Sequence, residues 1–183
     1  MSRHSVGFGW VLAWMSGMSA VPAWNFQKTN RMNDGQHRSS FNGQFQHSVD
    51  KAGRVSVPSK WYRDRKGESF MVVKWPLAAP KCLKVLPLEL HEKILDALGG
   101  GQLTNEADAT FVRGFGASSD IQEIDESGRM VLRPDLCESV GIKGEAVLVG
   151  CIRYFEAWNE KNLQAELPAT LQAAAASAKE KGI

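Results

Sequence analysis

Arg54 and Arg129 each close an Asp-x-x-Gly-Arg run, Asp50-Lys51-Ala52-Gly53-Arg54 in one place and Asp125-Glu126-Ser127-Gly128-Arg129 in the other. A guanidinium is a rigid fork of N–H donors that stays charged at any physiological pH, so it suits planar, anionic acceptors. One fork presented twice on one chain suits a symmetric, polyanionic partner. Lys51, Lys60 and Arg63 add cations around the first copy, in a cluster that also holds Arg65 and Lys66 against only Asp50 and Asp64. Such a cluster is usually a solvated surface. It becomes a phosphate-contacting patch when association of several copies multiplies it.

The residues around each arginine must hold it at a rim. Asp50 and Asp125 are placed to accept hydrogen bonds from the backbone of the turns they open, as Asx turns do. Gly53 and Gly128 suit a turn position with positive φ, where a side chain would be strained. Apolar residues then alternate, Val55 and Val57 in one copy and Met130 and Leu132 in the other, which predicts strands with one face inward. Pro58 and Pro134 remove a ladder donor and mark the strand ends.

The correspondence extends beyond the motif. Ser69–Lys74 matches Glu145–Gly150 as a mostly apolar strand, and Lys81–Leu86 matches Arg153–Trp158 as an alternating strand led by a basic residue. Pro87 and Asn159 follow as helix openers, predicting helices over 88–98 and 160–167. Each repeat therefore reads strand, turn, strand, strand, strand, helix. A unit so small buries too little apolar surface to stand alone, so the two copies should share one barrel-like core. The fold class expected is β-rich α+β with short helices.

Composition narrows the function. The chain has 183 residues, 43% hydrophobic and 23% charged, with a net charge of only +2, so it is no histone-like blanket of positive charge. Cys82, Cys137 and Cys151 show no Cys-x-x-Cys spacing, and Cys82 and Cys151 fall in apolar strands, as buried reduced thiols do. The histidines His4, His37, His47 and His91 form no metal-spaced pair. No nucleophile elbow, phosphate loop or dinucleotide fingerprint occurs, and Gly99-Gly100-Gly101 reads as a flexible linker. We therefore expect no enzyme activity, no metal and no cofactor.

Along the chain, residues 1–40 stand apart. Val6–Ala23 is apolar, preceded by Arg3 and closed by Ala20-Val21-Pro22-Ala23, the outline of a secretory signal, although Pro22 and interior glycines weaken it. Asn25–Ser40 is polar and aperiodic, which predicts disorder. Repeat one covers 44–91. A linker and connecting helix cover 99–116, with Thr104 as cap and Ala107, Phe111, Val112 and Phe115 as apolar face. Repeat two covers 118–162, and an alanine-rich tail, helical or frayed, covers 168–183.

From Phe41 onward the chain resembles the MraZ family of bacterial transcriptional regulators. The residues that carry the resemblance are Phe41-Asn42-Gly43, Asp50 to Arg54, Pro58-Ser59-Lys60-Trp61, Asp125 to Arg129, Leu148-Val149-Gly150 and Phe155-Glu156-Ala157-Trp158-Asn159. The resemblance implies two AbrB-like swapped-hairpin repeats forming one pseudo-twofold β-barrel, assembled into a ring-shaped homo-oligomer. It implies a cytoplasmic, nucleoid-associated protein that binds repeated G-rich promoter elements of the division and cell-wall gene cluster in double-stranded DNA, with no membrane partner. The DNA-contacting residues would be Asp50 and Arg54 with Asp125 and Arg129, and Lys51, Lys60 and Arg63 would serve phosphates. An arginine fork can donate two hydrogen bonds to guanine O6 and N7. Glu126 stands where repeat one has Lys51, so repeat one should bind more strongly. Tyr62 and Cys137 stand where the family commonly has arginine, which alters the phosphate contacts. The residues before Met32 have no counterpart in the family, and Met32 lies a family-typical distance before Phe41, so translation is expected to begin there. The alternative is an antitoxin-like or scaffold protein that uses the same barrel to bind a protein.

Overall fold

The computed structural model describes residues 40–65, 67–79, 81–97 and 106–182. Outside the described residues lie the apolar and polar amino-terminal stretches, the Met32 start, Lys66, the Gly99–Leu103 linker and the Thr104 cap.

The chain runs β1 (Gln44–Ser48), β2 (Arg54–Ser56), α1 (Ser59–Tyr62), β3 (Ser69–Trp75), β4 (Cys82–Pro87), α2 (Leu88–Ala97), α3 (Glu106–Ala117), β5 (Ser119–Glu123), β6 (Arg129–Val131), α4 (Pro134–Ser139), β7 (Glu145–Gly150), β8 (Phe155–Trp158) and α5 (Glu160–Lys181). This is a β-rich α+β fold, and every strand pairing is antiparallel. Six strands pair in the order β1-β7-β8-β4-β3-β5, and β2 pairs with β6 as a separate ribbon. The pairing leaves β1 and β5 as the two edges of the six-stranded sheet, so its ladder does not close into a barrel.

Reading the sheet from either end gives the same order once the repeats are exchanged. The first strand of each repeat pairs with the third strand of the other, β1 with β7 and β5 with β3. The axis of this pseudo-twofold passes between two pairs of equivalent residues. One is Val55 opposite Met130 in the ribbon, and the other is Lys84 opposite Glu156 where β4 meets β8.

Both repeats fill one core between sheet and ribbon. Val55, Val57, Trp61, Phe70, Val72, Leu83 and Val85 meet Met130, Leu132, Leu136, Ala146, Leu148, Phe155 and Ala157. At its centre Phe41, Trp61, Phe70 and Phe155 pack with ring centroids 5.3–6.4 Å apart. Such pairs contribute about 0.5–1.5 kcal/mol each beyond the area they bury. A second cluster on the outer face of the sheet packs Met71, Val73 and Leu86 against Leu90 and Ile94 of α2 and Phe111 and Phe115 of α3. Of the apolar face expected for this helix, Ala107 is exposed.

Three helices differ from the sequence reading. Pro58 and Pro134 do more than end strands: each leads into a short helix, with Pro134 at the first turn of α4, where a missing N–H costs nothing. Trp61 and Leu136 point inward from these helices and close the core. The last helix does not stop at Leu167. Asn159 caps it by accepting from the N–H groups of Lys161 and Asn162, and it continues through Pro168 to Lys181. Pro168 and Gln164 are both exposed, so water can take the carbonyl that the proline leaves unbonded.

On the axis, Lys84 Nζ lies 3.9 Å from Glu156 Oε1, and the two side chains are only 21% and 14% exposed. Trp158 Nε1 donates to Glu156 at 2.9 Å, and Lys84 sits over the rings of Trp75 and Tyr154. Equivalent positions of the two repeats therefore carry opposite charges where they face each other. Lys84→Glu should lower stability by about 1 kcal/mol or more, because two half-buried carboxylates would then face each other. Exchanging the charges in Lys84→Glu/Glu156→Lys should recover much of the loss in thermal unfolding. A double variant no more stable than the single one would contradict the axial pairing.

Candidate functional site

Each Asp-x-x-Gly-Arg run forms a tight loop between the strands it joins. Asp50 N–H donates to the Arg54 carbonyl at 3.1 Å and Gly53 N–H to the Asp50 carbonyl at 2.9 Å. The second loop repeats this, Asp125 to Arg129 at 2.8 Å and Gly128 to Asp125 at 2.9 Å. Gly53 and Gly128 have φ of 78° and 76°, as the turn chemistry predicts.

Both glycines also meet the opposite repeat. A β-carbon on Gly53 would lie 2.0 Å from the Leu132 carbonyl oxygen, and one on Gly128 would lie 2.3 Å from the Tyr62 ring. These approaches come from a reciprocal pair of hydrogen bonds. Val57 N–H donates to the Gly128 carbonyl and Leu132 N–H to the Gly53 carbonyl, both at 2.8 Å. Each loop is thus pinned by the strand that leaves the other loop.

The aspartates hold the arginines. Asp50 Oδ1 accepts from the N–H groups of Ala52 and Arg54, both at 2.9 Å, and Oδ2 accepts from Arg54 Nε at 2.7 Å. In the second loop Asp125 Oδ1 accepts from Arg129 N–H at 2.8 Å, and Oδ2 lies 3.4 Å from Arg129 Nε. All four side chains are about half exposed. Because the aspartate engages Nε, its contact leaves the Nη1–Nη2 edge of each guanidinium, with its two parallel donors, to other acceptors.

The ribbon register puts both forks on one face. Arg54 lies opposite Val131, Val55 opposite Met130 and Ser56 opposite Arg129. Val55 and Met130 point into the core, so Arg54, Ser56, Arg129 and Val131 share the outer face. Arg54 and Arg129 are diagonal neighbours across the ribbon, a relation that puts residues roughly 7–8 Å apart and their β-carbons somewhat closer. Lys51 and Glu126 are exposed on their loops beside them.

Other predicted residues are placed elsewhere. Lys60, on α1, sets its ammonium 4.6 Å from the Phe45 ring, near the end of β1 remote from Asp50. Arg63 is exposed at the carboxyl end of α1. Arg65 does not belong to the exposed cationic cluster: it is buried, ion-paired to Glu68 at 3.0 Å, with its guanidinium over the Phe41 ring. Ser56 and Val131 escaped the sequence reading as face-sharing neighbours of the arginines, because only the register between β2 and β6 brings them together. Tyr62 likewise acquires a role that its position in the sequence does not announce, packing beneath Gly128.

The thiols are unbridged, and burial pushes Cys82 up to about 12 and Cys137 and Cys151 up to about 11. Among the described residues there is no group of three His, Cys, Asp or Glu side chains suited to a metal ion. No helix among them is long and apolar enough to cross a membrane.

Fold and site together define a duplicated, strand-exchanged α+β protein that offers two braced guanidinium forks on one exposed ribbon. The chain is 34% identical over 116 residues to the transcriptional regulator MraZ of Symbiobacterium thermophilum, covering 63% of this chain and 81% of the relative. It is 32% identical over 120 residues to the regulator of that name from Acetivibrio thermocellus, covering 66% of this chain and 81% of the relative. With that of Thermomicrobium roseum it shares 28% over 129 residues, covering 69% and 88%. No family model matches the chain. The chain belongs to the MraZ family.

Two outcomes follow from the loop geometry. Gly53→Ala should destabilise the protein by roughly 2–4 kcal/mol, adding left-handed strain to a collision with backbone, whereas Gly67→Ala, at φ 74° with open space around it, should cost only roughly 1–2 kcal/mol. Urea unfolding of both variants checks this, and equal losses would refute the close approach. The second outcome concerns pH. The backbone N–H of Arg54, and then its guanidinium, hold the Asp50 carboxyl below its ordinary value of 3.8, and Arg129 does the same for Asp125, again chiefly through its backbone N–H. A carboxyl depressed on folding stabilises its loop above the unfolded-state value and loses that contribution as pH falls through the folded one. The carboxylates' hold on the loops should therefore be unchanged through neutral pH and be lost only below the ordinary value of 3.8. Carbon-detected NMR titration of the two carboxyls would read this, and Arg54→Ala should move Asp50 upward while leaving Asp125 in place.

Proposed function

We propose that this chain is a sequence-specific regulator of transcription that binds double-stranded DNA through the β2–β6 ribbon. The observation that carries the reading is the pair of arginines on one exposed face, each held at Nε by its own aspartate. A fork so held can meet guanine O6 and N7 in the major groove, which is wide enough to admit a two-stranded ribbon. A fixed plane makes Arg54 and Arg129 base-reading groups rather than loose phosphate ties. Asp50 and Asp125 serve as their braces. Lys51 is placed to meet phosphate beside Arg54, with Lys60 and Arg63 as more distant cations, and Glu126 weakens the second loop.

Charge supports an assembly. Lys51, Arg54 and Arg129 are balanced on the two loops by Asp50, Asp125 and Glu126. One copy thus gains little from counterion release, and affinity has to come from several ribbons acting together on repeated elements. In this reading the exchanged pairing belongs to two AbrB-like swapped-hairpin repeats that share one pseudo-twofold core between sheet and ribbon. The protein forms a ring, works in the cytoplasm at the nucleoid, and acts on repeated G-rich promoter elements of the division and cell-wall gene cluster.

Arg54→Ala should weaken binding to a duplex from the promoter of the chain's own operon by roughly 5–150-fold, the equivalent of about 1–3 kcal/mol. Thermal unfolding should be nearly unchanged, since the side chain is half exposed. Arg129→Ala should cost less. Fluorescence anisotropy against cognate and scrambled duplexes at two salt concentrations decides the matter. A variant that binds both duplexes as the parent does removes the assignment.

A further inference from the structure

The symmetry of the ribbon is broken at one place on its outer face. The two repeats put equivalent arginines there, but the residues flanking them are not equivalent. Arg54 faces Val131 across the ribbon, and Arg129 faces Ser56. Directly opposed β-carbons on one face lie about 4.5–5.5 Å apart, so each arginine has one fixed neighbour. For Arg54 that neighbour is a pair of methyl groups on a half-buried valine. For Arg129 it is a hydroxyl on an exposed serine.

The chemistry of the two neighbours differs in what it can recognise. In the major groove thymine carries a C5-methyl group that apolar side chains contact, and cytosine offers hydrogen there instead. A serine hydroxyl donates or accepts and so tolerates any base edge. The spacing across the ribbon suits adjacent bases. A side chain directly opposite Arg54 stands about 4.5–5.5 Å away at the β-carbon, near the rise of about 3.4 Å between stacked base pairs, so it can reach the base next to the one the Arg54 fork would engage.

We propose that Val131 is a specificity-determining residue: it selects thymine, through the C5-methyl, beside the guanine read by Arg54, while Ser56 imposes no such demand beside Arg129. A nearly symmetric protein thereby recognises a directional element. The inference rests on the DNA-binding reading above and extends it from the arginines to their cross-strand partners. Val131 contributes no charge, so its effect is on base preference and not on overall affinity for DNA.

The test uses the full chain and a pool of duplexes with a randomised central segment. After selection, the enriched duplex is resynthesised with each thymine in turn replaced by deoxyuridine, which removes only the methyl group. One replacement, beside the guanine whose contact Arg54→Ala abolishes, should weaken binding about three- to five-fold, as expected for one buried methyl. That sensitivity should vanish in Val131→Ser and persist in Val131→Thr, which keeps a methyl. In Ser56→Val/Val131→Ser it should move to the guanine read by Arg129. Uniform tolerance of deoxyuridine, or a methyl effect unchanged in Val131→Ser, overturns the inference even when both arginines prove essential. If Arg54→Ala and Arg129→Ala bind like the parent, or no sequence is enriched, the DNA-binding reading itself falls and the inference with it.

Discussion

The reciprocal hydrogen bonds between Val57 and Gly128 and between Leu132 and Gly53 are the constraint on which the candidate surface depends. They lock each loop to the strand leaving the other, so neither arginine can be positioned by its own repeat alone. A ribbon of three residues per strand is marginal in water by itself. It persists because Val55 and Met130 insert into a core supplied by both repeats. The lack of a β-carbon at Gly53 and Gly128 is what lets the two backbones and the Tyr62 ring come this close.

Order therefore passes from the core outward. Aromatic packing around Trp61 and Phe155 fixes the sheet against the ribbon, the ribbon fixes the turns, and each turn fixes its aspartate. The aspartate then spends one carboxylate oxygen on backbone and the other on the guanidinium. That division leaves a half-exposed ion pair whose worth lies in orientation and not in stability, since exposed pairs contribute little. Preorganisation of this kind lowers the entropy lost when a side chain binds. It gives a long, flexible arginine a defined plane without burying its charge.

Near-symmetry and its breaking have separate physical origins. Strand exchange between repeats requires matched lengths and matched apolar faces, so β1, β3 and β4 resemble β5, β7 and β8. The surface and the axis carry no such demand. Lys84 and Glu156 meet on the axis as opposite charges, and two copies of either residue would repel there. Lys51 and Glu126 differ on the loops, and Ser56 and Val131 differ on the ribbon face. Duplication within one chain permits these differences, because each position need match only its one partner.

Much of this was legible in the residues. Alternating apolar positions gave the strands, Asp-x-x-Gly-Arg gave the two turns with their positive φ, and Asn159 marked the start of the last helix. The sequence divided this helix into 160–167 and a helical or frayed tail over 168–183, whereas an exposed helix can surrender one hydrogen bond to water at Pro168 and run on unbroken. Arg65 was counted with the surface cations, for charge runs in a sequence do not disclose which member pairs inward with Glu68. What the sequence by itself determined was local: turn chemistry, strand periodicity and the recurrence of a unit. Which residues face each other was decided only in three dimensions, because β1 pairs with β7, β5 with β3 and β2 with β6 across long stretches of chain. Periodicity tells a residue's face but carries no information about register. Register alone sets both arginines on one surface, with Val131 beside one and Ser56 beside the other.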